Sequence, residues 1–162
     1  MVAQIVITIL AYLHIISAMG WLGGAVLFVS VVRPGLRSLS PTARLEFLSK
    51  ILPGATRFFI GSSTATIVFG LGLLFSFPGA SGTTITTGLT LGLIAYLDAV
   101  LVTLPSLRKA DHLATEVLAG GQAGPPSPEL AKALKRGGIG SATVVVLLVI
   151  TLIFMVTAGF PF

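Results

Sequence analysis

Residues 12–24 read Tyr-Leu-His-Ile-Ile-Ser-Ala-Met-Gly-Trp-Leu-Gly-Gly and lie inside an apolar stretch, residues 1–32, that contains no Lys, Arg, Asp or Glu. A membrane-spanning helix needs about 20 consecutive apolar residues, so this stretch is long enough to cross a bilayer. It ends at Arg33-Pro34. Arg33 is charged and favours the headgroup region, and Pro34 breaks helices, so together they predict the end of the span.

The composition of the whole chain is that of a membrane protein. Hydrophobic residues make up 54% and charged residues 9% of the sequence, and the mean hydropathy is +1.03. Soluble domains contain about 25% charged residues. Cysteine is absent, which excludes disulfides and thiolate ligands. The net charge of +5 does not indicate nucleic-acid binding, because the charges are confined to two connections, as membrane topology requires.

The hydropathy pattern predicts an all-α integral membrane protein with one transmembrane domain, residues 1–162. The four predicted spans cover about residues 3–32, 55–77, 84–104 and 139–159. All ten Lys and Arg lie in or beside the connections 33–53 and 106–138. By the positive-inside rule these connections are cytoplasmic, and both termini lie outside. The pattern therefore predicts an up-down-up-down four-helix bundle in the plasma membrane, with the lipid bilayer as its surroundings.

Both cytoplasmic connections contain signals for short separate helices. Ser40-Pro41 and Ser127-Pro128 are typical of an N-cap followed by the first helical residue. Leucines on one face of the first helix predict that it lies on the membrane surface and ends at Pro53-Gly54. Pro105 is expected to close the third span. Residues 120–126 are rich in glycine and proline, which predicts a flexible linker.

Two pairs of glycines predict places where helices approach closely. Gly20 and Gly24 are four residues apart in the first span, and Gly88 and Gly92 are four residues apart in the third. Small residues at this spacing let the backbone of a neighbouring helix come near in a bilayer.

Two residues of opposite charge are predicted to lie inside the membrane near its cytoplasmic face. At 1.5 Å per residue, Arg57 lies ~6 Å and Asp98 ~10 Å from that boundary. A charge at the centre of a span costs on the order of 2.5–3.5 kcal/mol, so such residues need partners. We expect an intramembrane ion pair between Arg57 and Asp98. The alternatives are that Arg57 extends to the headgroups and that Asp98 relays a proton or a cation.

His14 is the titratable residue nearest to the middle of the first span, ~16 Å from the outer boundary. Intramembrane histidines often bind ions, protons or haem, so His14 is the candidate ligand; the alternative is a hydrogen bond to Ser17 or to a facing hydroxyl. Trp21 lies on the same helix face and is expected to pack against a neighbouring helix beside the bound group. Met19 is a second candidate donor for a metal ion, although the spacing places it on a different face.

The residues of the first span resemble the copper-resistance protein D family. In that family a His, six residues, a Trp-x-Gly-Gly and an Arg-Pro exit recur, as they do here from His14 to Arg33-Pro34. Residues 56–59, Thr-Arg-Phe-Phe, resemble the start of the next helix in that family. The resemblance covers nearly the whole chain. It implies a protein that binds or transports copper, with His14 as the inner ligand.

The chain is also similar to the HemJ-type protoporphyrinogen oxidases, which are four-span proteins that bind haem b through a histidine in the first helix. This resemblance implies that His14 is an axial ligand of haem b, with Trp21 beside the cofactor, in a redox or enzymatic role. A third interpretation is that His14 only packs, in an accessory structural subunit of a larger membrane complex. The expected partners are a second copy of the chain in a homo-oligomer or the subunits of such a complex. No catalytic triad, Walker motif or metalloprotease motif favours a hydrolase.

The charge distribution generates a prediction about sidedness. Single cysteines introduced as Ser81→Cys and Ser127→Cys should react differently with an impermeant thiol reagent added outside intact cells. Only the cysteine at 81 should be labelled, because its connection carries no Lys or Arg. Labelling at 127 alone would reverse the predicted orientation, and permeabilised cells provide the control that both sites are reactive.

Overall fold

The computed structural model describes residues 2–76, 82–120 and 127–159. These residues form four long helices and contain no strand. The helices are α1 (Ala3–Ser38), α2 (Pro41–Ser76), α3 (Thr83–Ala119) and α4 (Pro128–Gly159). Each is long and apolar enough to cross a membrane. The chain is therefore an all-α, multi-pass membrane protein built as a four-helix bundle, as the hydropathy pattern predicts.

Helix α2 is longer than its predicted span. Its 36 residues extend ~54 Å, whereas the hydrocarbon core of a bilayer is about 30 Å thick. The helix runs through Pro53 without a break, so the prediction of a separate surface helix that ends at Pro53-Gly54 is wrong. The physical reason is burial. A proline inside a helix costs about 3 kcal/mol, and each buried leucine of the preceding turns contributes about 1.5–3 kcal/mol. Those leucines are Leu45, Leu48 and Leu52.

Helices α1 and α3 also continue through the prolines at which they were expected to end. A π-helical segment, Phe28–Val32, precedes Pro34, and a second, Ala99–Thr103, precedes Pro105. In an α-helix, the ring of a proline clashes with the backbone carbonyl four residues before it. A π turn bonds residue i to residue i+5 instead, so that carbonyl is shifted away from the ring. The two prolines are accommodated in this way, and the helices extend to Ser38 and Ala119.

The four helices are arranged as two pairs. Helix α1 packs along α2, and α3 packs along α4, while contacts between the pairs concentrate toward one end. The two predicted glycine contacts are confirmed. A Cβ atom at Gly24 would lie 2.8 Å from Cε1 of Phe58 on α2. A Cβ atom at Gly88 would lie 3.0 Å from Cε of Met155 on α4.

The pairs are joined at the end of the bundle that carries most of the basic residues. A buried cluster there combines residues of α2, α3 and α4: Leu45, Leu48, Leu52, Leu107, Ala110, Ala114, Leu130 and Ala133. The two predicted N-caps lead into it and are confirmed, whereas the short separate helix predicted after Ser127 is wrong, because α4 continues from Pro128 to Gly159. Ser40 Oγ accepts a hydrogen bond from the Ala43 amide at 3.3 Å, and Ser127 Oγ accepts one from the Leu130 amide at 3.2 Å. Most of the predicted linker, residues 121–126, lies outside the described residues.

The buried leucine face of α2 generates a stability prediction. Leu52 is 1% exposed and the adjacent Ile51 is 41% exposed. Leu52→Ala should lower the free energy of unfolding by about 2–5 kcal/mol, because it leaves a cavity in the cluster. Unfolding in detergent, followed by circular dichroism, measures the change. Ile51→Ala is the matched control and should have a much smaller effect, whereas equal losses would show that this cluster does not hold the pairs together.

Candidate functional site

His14 forms a specific hydrogen bond between α1 and α2. Its Nδ1 lies 2.9 Å from the backbone carbonyl oxygen of Thr66. Because a carbonyl oxygen only accepts hydrogen bonds, Nδ1 must be the atom that carries the proton in the neutral ring. The other nitrogen, Nε2, then holds a free lone pair. The alternative partner considered for His14, Ser17, instead donates its hydroxyl to the Leu13 carbonyl at 2.7 Å.

A glycine makes this contact sterically feasible. The imidazole lies against Gly70 of α2, and a Cβ atom at that position would be 2.9 Å from Cε1 and 3.0 Å from Nδ1 of His14. Contacts this short are essentially never made by a real Cβ atom, so any other residue would displace the ring. Gly70 follows Thr66 by one helical turn, which places the open space directly beside the accepting carbonyl. Sequence and geometry together hold the imidazole in one orientation.

Among the described residues, His14 has no second hydrogen-bond partner. Only its Nδ1 is bonded, and no buried side-chain nitrogen or oxygen in the described part of the chain lacks a partner. His14 is half-buried rather than buried. Its Nε2 therefore remains accessible, with the lone pair available to a metal or to a hydroxyl donor.

His14 faces a large apolar cavity between the two helix pairs. The cavity has a volume of about 620 Å³ and is partly open to the surroundings. All four helices contribute to its wall, through His14, Ala18, Trp21, Gly70, Leu73, Leu89, Leu148, Met155 and others. His14 is the one described lining residue with an ionisable side chain. The cavity exists because the pairs contact each other mainly at the opposite end of the bundle.

Trp21 closes the inner end of this cavity. Its side chain is 2% exposed and packs edge-to-face on Tyr96 of α3, with ring centroids 6.4 Å apart. This confirms that Trp21 packs against a neighbouring helix, and the ring also lines the cavity next to His14. The cavity does not extend to Gly24, because the rings of Phe58 and Phe59 lie against that residue.

Two methionines line the same cavity. Met19 contributes to the wall, although its side chain is 69% exposed and lies about 140° around α1 from His14, on the different face that the spacing predicts. Met155 of α4 contributes from the other helix pair. Sequence reasoning passed over Met155, because a single methionine in an uncharged span carries no signal without a known neighbour.

The predicted ion pair between Arg57 and Asp98 is not formed in the structure. Arg57 is exposed on α2. Asp98 instead accepts a hydrogen bond from the Thr103 hydroxyl, with 3.2 Å between Oγ1 and Oδ2. Arg57 follows the buried Thr56 by one residue, which turns it about 100° around the helix and away from the interior.

A different cation enters the bundle. Arg33 at the end of α1 donates from Nη1 to the backbone carbonyl of Gly138 on α4, at 3.1 Å. A Cβ atom at Gly138 would lie 2.8 Å from Cζ of Arg33, so a larger residue there would displace the guanidinium group. Within the described ranges, the one contact between a basic and an acidic side chain joins His112 and Glu116, with 3.4 Å between Nδ1 and Oε2; both residues are exposed and lie one turn apart in α3. His112 therefore lies at the surface and is not part of the cavity wall.

Within residues 2–76, 82–120 and 127–159, no three His, Cys, Asp or Glu side chains come together as a metal site. The side chains on the cavity wall that could bind a metal through nitrogen or sulfur are one imidazole and two thioethers. Comparison with protein-family models, with curated proteins and with solved structures finds no match to this chain. The fold and the site define a multi-pass helical membrane protein with an apolar cavity that contains one oriented histidine.

The contact between His14 and Gly70 generates a spectroscopic prediction. In protein labelled with ¹⁵N-histidine, the NMR signals of His14 should report a proton on Nδ1 and a bare Nε2. Gly70→Ala should displace the ring and change both signals, because the added methyl group overlaps the imidazole. Gly61→Ala is the matched control on the same helix, since nothing lies within 4 Å of a Cβ atom there. A His14 spectrum unchanged by Gly70→Ala would refute the contact.

Proposed function

We propose that this protein binds haem b in the cavity between the helix pairs, with Nε2 of His14 as an axial iron ligand. The observation that supports the proposal is the bond from His14 Nδ1 to the Thr66 carbonyl beside an accessible Nε2. Histidines that bind metals commonly donate their other ring N–H to a carbonyl or carboxylate, which fixes the tautomer and the ring orientation. His14 is held in this arrangement before any ligand is present.

The size and the chemistry of the cavity support a large apolar ligand. Sites for small molecules and cofactors typically measure about 300–1,000 Å³ and are lined mainly by apolar side chains. The cavity of about 620 Å³ falls in this range, and its described lining is almost entirely apolar. A single metal ion would leave most of this space unfilled. A haem macrocycle would occupy much more of it, and Trp21 and the aliphatic residues of the wall would hold the macrocycle by apolar contact.

The chain's own residues would hold and shield the cofactor. His14 supplies the ligand, Thr66 and Gly70 orient it, and Trp21 closes the inner end of the cavity. Bound haem supplies one-electron redox chemistry at its iron. A redox role in the plasma membrane, alone or within a homo-oligomer or larger membrane complex, is therefore the function we propose.

Copper binding or transport is the second candidate, and one observation favours it. The thioethers of Met19 and Met155 line the cavity that His14 faces. Thioether sulfur is a soft donor that selects Cu(I), and imidazole also suits copper. A site of one histidine and two methionines would bind Cu(I) without the acidic or thiolate ligands that are missing from the described cavity wall.

Optical spectroscopy of the purified protein tests the proposal. Protein produced in haem-replete cells and purified in detergent should show a Soret band and bind about one haem per chain. His14→Ala should remove most of that band, because the axial ligand is lost. His112→Ala is the matched control, since it removes the chain's other histidine at an exposed position far from the cavity.

The outcomes separate the candidates. A colourless wild-type protein that binds added Cu(I), and loses it on His14→Ala, would replace haem with copper. A protein that binds neither, or that binds either one unchanged by His14→Ala, would refute a ligand role for His14. The accessory-subunit interpretation would then stand.

A further inference from the structure

We infer that Met155 is the second axial ligand of the iron, opposite His14. This inference rests on the proposed function and adds a ligand to it that the motif of the first span does not contain. A second ligand from the same chain would complete the coordination without a histidine from a partner molecule. It would also determine the redox character of the site.

His14 and Met155 are supported in the same way within their own helix pairs. In the first pair, His14 of α1 lies over Gly70 of α2. In the second pair, Met155 of α4 lies over Gly88 of α3, and a Cβ atom there would be 3.0 Å from Cε and 3.3 Å from Sδ. Each donor therefore rests on a glycine of the neighbouring helix in its own pair. Both side chains line the cavity that separates the pairs.

The two glycines also lie at similar depths along their helices. Gly70 precedes the end of α2 at Ser76 by six residues, or ~9 Å. Gly88 follows the start of α3 at Thr83 by five residues, or ~7.5 Å. Consecutive helices α2 and α3 are connected at these ends. The donors above the two glycines are thus placed at comparable levels of the cavity.

Met155 fits an axial position better than Met19 does. Axial ligands bind iron from opposite sides, and Met155 belongs to the helix pair that faces His14 across the cavity. Met19 lies on α1, the same helix as His14, about 140° around it, and is largely exposed. The hydroxyls of Thr66 and Thr151 on the wall are engaged, since each donates to a backbone carbonyl one turn earlier. The Met155 thioether is the donor that remains.

A thioether ligand has a defined electronic consequence. Ligation by histidine and methionine raises the reduction potential of haem relative to two nitrogen ligands, because soft sulfur favours ferrous iron. The site would then be a low-spin, high-potential one-electron centre. With both axial positions filled by protein atoms, small exogenous ligands would bind only slowly.

The test measures spin state, carbon monoxide binding and midpoint potential on haem-loaded protein in detergent. Met155→Leu keeps the volume and apolar character but removes the sulfur. It should convert the ferric haem to a high-spin form, let carbon monoxide bind readily to the ferrous form, and lower the midpoint potential. Met155→His should restore the low-spin spectrum and give a lower potential than the wild type. Ile150→Leu, on the same helix but outside the cavity wall, is the matched control and should leave all three properties unchanged. Met19→Leu tests the other thioether of the wall.

The failures of the two proposals are distinguishable. A wild-type protein that binds no haem overturns both. A protein whose haem depends on His14, but whose spin state and potential are unaffected by Met155→Leu, overturns the role of Met155 alone. Loss of the low-spin signal in Met19→Leu, and not in Met155→Leu, would also overturn it by assigning the ligand to the other methionine.

Discussion

The candidate site depends on one hydrogen bond, from His14 Nδ1 to the Thr66 carbonyl. In an environment without water, a polar group that lacks a partner is costly, so this bond satisfies the Nδ1–H group of the imidazole and links α1 to α2. Its geometry requires the missing side chain of Gly70. A residue that would otherwise destabilise the membrane span is in this way held in one orientation at the cavity wall.

The cavity itself follows from where the two pairs are joined. The buried cluster of leucines and alanines connects α2, α3 and α4 at the basic end of the bundle. Small residues bring the helices together within each pair, whereas the pairs have few contacts toward the opposite end. Because the contacts between the pairs are concentrated at one end, a cavity of about 620 Å³ remains between them at the other.

Several features of the fold could be predicted from the sequence because they depend on local physical rules. The four apolar stretches, the caps at Ser40 and Ser127 and the close-packing glycines all belong to this group. The continuity of α2 through Pro53 could not be predicted, since it depends on leucines buried against helices distant in sequence. Local rules give the cost of a proline but not the burial that offsets it.

The site shows the same limit. The position of His14 in mid-span is visible in the sequence, and so is its face shared with Trp21. The pairing of Arg57 with Asp98 was inferred from depth alone, but a contact also needs the right direction around the helix. That direction depends on which face packs inward. Met155 was missed for the same reason, because only its position over Gly88 distinguishes it from the other apolar residues of α4.

The position of Trp21 has a consequence for how the interior of the bundle is divided. Its indole lines the large cavity and also a second cavity of about 30 Å³, which the hydroxyl-bearing side chains of Thr103 and Ser141 border. The other eight residues around this small cavity are apolar. A single aromatic ring, fixed by its edge-to-face contact with Tyr96, separates the two cavities. Trp21 is the one residue that their described walls share, so a smaller side chain at this position would merge them into one continuous space.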